Sequence, residues 1–102
     1  MDTQLKKGVL EMLVLHFLSK KNYYAYELNK ALNGVIQTNE STSYAIFKKL
    51  IIKEYAEYYV EESQNGPSRK YYKITKDGFA ELQKNKAEWD EFHKVINNLL
   101  NQ

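Results

Sequence analysis

Between Ala56 and Thr75 the pattern of the chain changes period, and that change restricts the fold more than any other feature. In AEYYVEES, Ala56, Tyr58 and Val60 alternate with Glu57, Tyr59 and Glu61, the period of a strand with two unlike faces. After SQNGP the alternation resumes in RKYYKIT, with Lys70, Tyr72 and Ile74 on one face and Arg69, Tyr71 and Lys73 on the other. Two tyrosine-rich strands joined by a Gly-Pro turn predict a hairpin.

Everything around the hairpin has the period of a helix. Leu5 to Ser19 holds apolar residues on more than one stripe, so this first helix must be buried on two sides. In NYYAYELNKALNG, Ala25, Leu28, Leu32 and Val35 recur at three and four, and Asn33-Gly34 is a stop signal. A third helix follows in NESTSYAIFKKLIIKEY, with Asn39 and Ser41 as the best N-caps. Its inner face is Phe47, Leu50 and Ile51, while Thr42, Lys48 and Lys49 point outward. Thr75 caps a long last helix that continues through Phe79, Leu82, Trp89, Phe92, Ile96 and Leu99. Within it, residues 82, 89 and 96 repeat at seven, as do 85, 92 and 99, a seam with Asn85 as its polar member. So long a helix on a 102-residue chain has little core of its own to cover, and a second copy of the chain is its simplest cover.

Three helices, a two-stranded hairpin and a further helix describe a mainly α winged helix-turn-helix with a C-terminal dimerisation helix. The division expected is 1–75 for reading DNA and 76–102 for dimerisation. In such a fold the third helix enters the major groove and the hairpin flanks it.

Composition removes several other classes. No cysteine is present, which excludes disulfides, thiolate metal sites and a cysteine nucleophile and suits a reducing cytoplasm. No run of about 18 apolar residues offers a membrane span. No glycine-rich phosphate loop or Ser/His/Asp arrangement supports an enzyme, and two isolated histidines make a poor metal site. No cofactor is expected. The net charge of +2 is small, but basic residues outnumber acidic ones by 7 to 4 in 44–76, against 5 to 4 before it and 3 to 5 after it. The middle third therefore carries the positive surplus.

LKKGVLEMLVLHFL, YYAYELNKAL, SYAIFKKL and GPSRKYYKIT resemble, in the same order, the signature segments of the PadR family of bacterial transcriptional regulators. The resemblance covers nearly the whole chain, and its last segment is the most specific. The single short C-terminal helix with a tryptophan, AEWDEFHKVINNL, is similar to the small multidrug-sensing repressors of that family. Three positions depart from the family pattern: Ala25 and Tyr55 stand where glycine is usual, and Ser43 where leucine is usual. Tyr55 puts the C-cap of the third helix in question, and Ser43 its packing or base contacts.

The resemblance implies a homodimer that binds an inverted-repeat operator in double-stranded DNA and represses transcription. It also implies a flat channel, enclosed by the first and last helices of both subunits, in which paired tryptophans hold planar hydrophobic small molecules. Asn39, Ser41, Thr42 and Tyr44 are then candidates for base edges, and Lys48, Lys49, Arg69 and Lys70 for phosphates. Arg69, close to the turn, is the foremost phosphate candidate of the hairpin, because alternation puts Lys70 on the same side as Tyr72. On the third helix alone, a cap followed by a solvated face is the simpler account. Met12, Leu15, His16, Trp89, Phe92 and His93 would line the channel, and Leu82, Trp89, Phe92, Ile96 and Leu99 the dimer seam. A winged helix used only for protein interaction, a regulator without an effector, and a plain binder of small aromatics are the competing readings.

Overall fold

The computed structural model describes residues 3–102, and side-chain surroundings from Gly8 onward. Leu5, counted above in the first helix's apolar face, lies outside those described side chains. The elements run α1 (Thr3–Lys20), β1 (Tyr23–Tyr24), α2 (Ala25–Asn33), α3 (Glu40–Ile52), β2 (Ala56–Ser63), β3 (Gly66–Ile74) and α4 (Lys76–Leu100). This is the winged helix-turn-helix that the alternation of periods predicts, with one added strand.

The core lies where α1, α2 and α3 meet beneath the sheet. Leu10, Val14, Leu15 and Leu18 of α1, Leu28 and Leu32 of α2, and Ile46, Phe47 and Leu50 of α3 are buried together. Met12, Leu13 and Phe17 are half-buried on further sides of α1, so that helix is indeed covered on more than one face. Tyr72 of β3 closes the core from the wing, its ring 5.3 Å from that of Phe47.

Two details of the sheet differ from the expectation. Tyr23 and Tyr24, placed above in the second helix, form β1, so the sheet has three antiparallel strands in the order β1-β3-β2. Tyr23 pairs with Tyr72 and Tyr24 with Tyr71, and cross-strand aromatic packing outweighs a helical start here. The hairpin tip also falls earlier than Gly-Pro. Ser63 pairs with Gly66, leaving Gln64 and Asn65 as the turn, and Pro67 lies within β3. There β1 no longer reaches, so the proline's missing N–H deprives no neighbouring strand on that side.

The start and end of α3 are both defined by local chemistry. Asn39 caps it, its Oδ1 accepting from the Thr42 N–H at 2.8 Å. At the far end Glu54 takes φ 63°, the left-handed conformation, and the N–H groups of Glu54 and Tyr55 donate to the carbonyls of Ile51 and Leu50, both at 3.0 Å. That is a Schellman close. The residue bearing the unusual backbone is thus Glu54, and Tyr55, suspected above, keeps an ordinary negative φ.

This turn is tied directly to α4. The Thr75 hydroxyl donates to the Glu54 carbonyl at 2.7 Å and accepts from the Gly78 N–H at 3.0 Å, while the Thr75 N–H donates to the Tyr55 carbonyl at 3.1 Å. A Cβ at Gly78 would stand 1.9 Å from the Tyr55 carbonyl oxygen, so only glycine allows the approach. Thr75 acts as the N-cap expected of it.

Candidate nucleic-acid interface and aromatic face

Strand alternation inside the wing decides which of its basic residues stands near α3. Alternation along β3 puts Lys70 and Tyr72 on the side of α3, and Lys70 lies over the rings of Tyr58 at 4.2 Å and Tyr72 at 5.4 Å. Arg69 goes to the opposite face, its guanidinium 4.6 Å from the centre of the Tyr24 ring. There it joins a tyrosine ladder in which Tyr59 and Tyr71 stack at 5.4 Å and Tyr24 meets Tyr71 edge-on. Lys70, on the Tyr72 side as the alternation predicts, shares a surface with the third helix, and Arg69 does not.

A cavity of about 550 Å³ opens between α3 and the wing, lined by Ala25, Tyr44, Lys48, Ile51, Ile52, Tyr58, Lys70 and Tyr72. It brings Lys48, Tyr44 and Lys70 onto one surface. The Tyr44 ring leans edge-on against Phe47 at 5.5 Å, and burial, reinforced by the Glu40 carboxylate, holds its hydroxyl above the usual phenol range. Ser41 is exposed and Thr42 half-buried beside the capping Asn39, whose side-chain oxygen is already engaged.

Lys49 belongs to a different surface from Lys48. Its ammonium lies 2.8 Å from Oε1 of Glu11 on α1, and Lys53 approaches the other carboxylate oxygen at 3.7 Å. Glu11 is only 17% exposed, and Lys49 is drawn toward α1 because that carboxylate needs a counter-charge. Lys49, expected above as a phosphate ligand, is thus paired with Glu11 and stands apart from Lys48. Ser43, the other departure from the family pattern, is fully buried with its Oγ unpartnered, so it bears on packing rather than on base edges.

At the other side of the molecule Trp89, Phe92 and His93 cluster on α4, with His93 4.4 Å from the Trp89 ring and Phe92 at 6.5 Å. A shallow cavity of about 380 Å³ separates them from α1, lined by Gly8, Val9, Met12, Asn85, Glu88, Trp89 and Phe92. Met12, Trp89 and Phe92 are therefore brought together as expected of channel residues. Leu15 is not, because it is buried in the three-helix core. His16 is exposed one turn beyond Met12, outside the cavity wall. Leu82 is corrected as well: it is 2% exposed within its own chain and has no surface left for a partner. Trp89, Phe92, Ile96 and Leu99 of the seam are exposed.

Sequence reasoning missed Tyr58, Ile52 and Ala25 as walls of the α3–wing cavity, and Glu88 beside Trp89. Tyr58 was legible as a cross-strand partner of Tyr72, since the two share a face at matched register. Glu88 gave no signal beyond its place next to the tryptophan.

Fold and site together define a winged-helix protein whose wing and third helix present a common lysine-bearing surface. The model of the PadR-like family of transcriptional regulators matches residues 14–84, and the chain belongs to that family. It is thus a member of a family of regulators and not of enzymes. A PadR-like transcriptional regulator from Bacillus cereus is 34% identical, with a TM-score of 0.85 over 98% of this chain and 99% of that one. A PadR family regulator from Clostridium difficile is 32% identical with a TM-score of 0.83, covering 89% and 97% of the two chains. An uncharacterised protein of Lysinibacillus sphaericus is 35% identical over 94 residues, 88% of this chain and 86% of its own. Among the described residues no helix is long and apolar enough to cross a membrane.

Proposed function

We propose that the chain represses transcription in the cytoplasm as a homodimer on an inverted-repeat operator, and that a planar hydrophobic compound held between the subunits modulates that binding. In this division of labour residues 1–75 read DNA and 76–102 join the two copies. The observation that carries the DNA half is the shared surface of Lys48 and Lys70. One ammonium comes from the third helix and one from the wing, an arrangement suited to phosphates flanking an inserted helix. Ser41, Thr42 and Tyr44 supply the neutral polar groups near the helix start that base edges require. Arg69 is left for a phosphate reached by the outer face of the wing.

The effector half rests on Trp89 and Phe92, flat rings facing Met12 across an open cavity on the exposed part of α4, with the His93 ring packed beside Trp89. A second copy laid over that face would close the cavity into a channel. A ligand there alters operator affinity only by favouring one separation of the two third helices, which must stand about 34 Å apart to enter successive major grooves. The α3–α4 tie through Glu54, Tyr55, Thr75 and Gly78 is a rigid route for such a change.

The test is retention of operator fragments selected from the source genome. Lys48→Ala with Lys70→Ala is expected to weaken binding by roughly a hundredfold at moderate salt and to lower the salt slope by about 2 for each subunit. Lys49→Ala should change it far less. Equal losses from Lys49→Ala and Lys48→Ala, or no loss from the double variant, would contradict the assigned surface.

A further inference from the structure

The cavity between α3 and the wing is built differently from a bare phosphate contact. A phosphate needs cations and N–H groups, yet three of its eight lining residues are the aliphatic Ala25, Ile51 and Ile52 and three are the tyrosines Tyr44, Tyr58 and Tyr72. Among the described residues Lys48 and Lys70 are the only charged groups of the lining, and the Glu40 carboxylate stands beside it against the Tyr44 hydroxyl. The Lys70 ammonium is held by the faces of Tyr58 and Tyr72 rather than by an acid, so its charge remains unneutralised within the cavity. At about 550 Å³ the space matches that of small-molecule pockets, for which a mostly apolar lining with a few placed polar groups is usual.

We propose that this cavity is a second small-molecule site, one that takes a planar aromatic anion. The flat body lies against Tyr58, Tyr72 and Ile51, and the anionic group meets Lys48 and Lys70. The site is separate in chemistry from the Trp89 face, where Glu88 is the charged group among the described lining residues. Occupancy would engage the two lysines assigned to DNA and fill the space between wing and helix, so ligand and operator would exclude each other. That consequence rests on the DNA-binding proposal; binding of the anion itself does not.

The single tryptophan makes the test unambiguous. Naphthalene-2-sulfonate is titrated into the 15N-labelled full chain, with 2-naphthamide as the neutral analogue and inorganic sulfate as the anion without a ring. The expected result is that amide signals of Tyr44, Ile51, Ile52 and Tyr58 move with the sulfonate while the Trp89 indole signal stays in place. Lys48→Met and Lys70→Met, which keep the stems and remove the charges from exposed positions, should each weaken the sulfonate by roughly tenfold, the loss of one charge-assisted contact. The naphthamide should bind wild type at least as weakly. Largest shifts at the Trp89 indole, equal binding of sulfonate and amide, shifts reproduced by sulfate alone, or affinity unchanged in both lysine variants would each overturn the proposal.

Discussion

Helix α4 contains two different helices in one continuous rod. From Lys76 to Asn85 it is held by its own chain: Thr75 caps it, Gly78 presses on the Tyr55 carbonyl, and Leu82 is buried against the core. From Lys86 to Leu100 every residue is exposed, among them Trp89, Phe92, Val95, Ile96, Leu99 and Leu100. The second half is as apolar as the first, but among the described residues only the start of α1, at Gly8, Val9 and Met12, comes near it. A contiguous exposed face of this kind suits an interaction surface, so the first half serves intramolecular stability and the second is free for the association proposed above.

The largest test of the contrast is at the joint. Gly78→Ala forces a methyl group into the Tyr55 carbonyl, and since neither backbone can yield without breaking the Thr75 bonds, a loss of about 4 kcal/mol or more is expected. A thermal melt at fixed protein concentration would show it. Leu82→Ala should cost about 3 kcal/mol by leaving a cavity under α4, while the mass in solution stays that of the wild type. If Leu82→Ala instead lowered the mass without lowering the melting temperature, the boundary drawn at Asn85 would be misplaced. The smallest effect has the opposite sign. Glu54→Gly relieves a left-handed residue at the α3 close and is expected to stabilise by about 1 kcal/mol, a rise of roughly 4–8 °C in melting temperature for a chain of this size.

Most of the fold could be read from the sequence because its signals are local. The period change at Ala56, the Asn39 and Thr75 caps and the face assignment of every residue in RKYYKIT depend only on neighbours in the chain. What escaped depends on tertiary packing. Tyr23 and Tyr24 read as the start of a helix because a two-residue strand has no period; only pairing with Tyr71 and Tyr72 makes it one. Leu82 fits the seven-residue series of Trp89 and Ile96, and nothing in the spacing says where the protomer's core stops. Lys48 and Lys49 are adjacent and identical in kind, so the carboxylate of Glu11, 38 positions away from Lys49, is what separates them. The same holds for Arg69 and Lys70, which the strand sends to opposite faces and which the position of Tyr24 and Tyr58 then sorts.

The central claim is that the exposed half of α4 is covered by a second copy of the chain, and sedimentation equilibrium at micromolar concentration addresses it most directly. The wild-type chain should run at twice the 12.1 kDa of one chain, and Ile96→Asp, which removes no packing within the protomer core, should run as one chain with its melting transition still cooperative. A wild-type mass of one chain at that concentration would contradict the account.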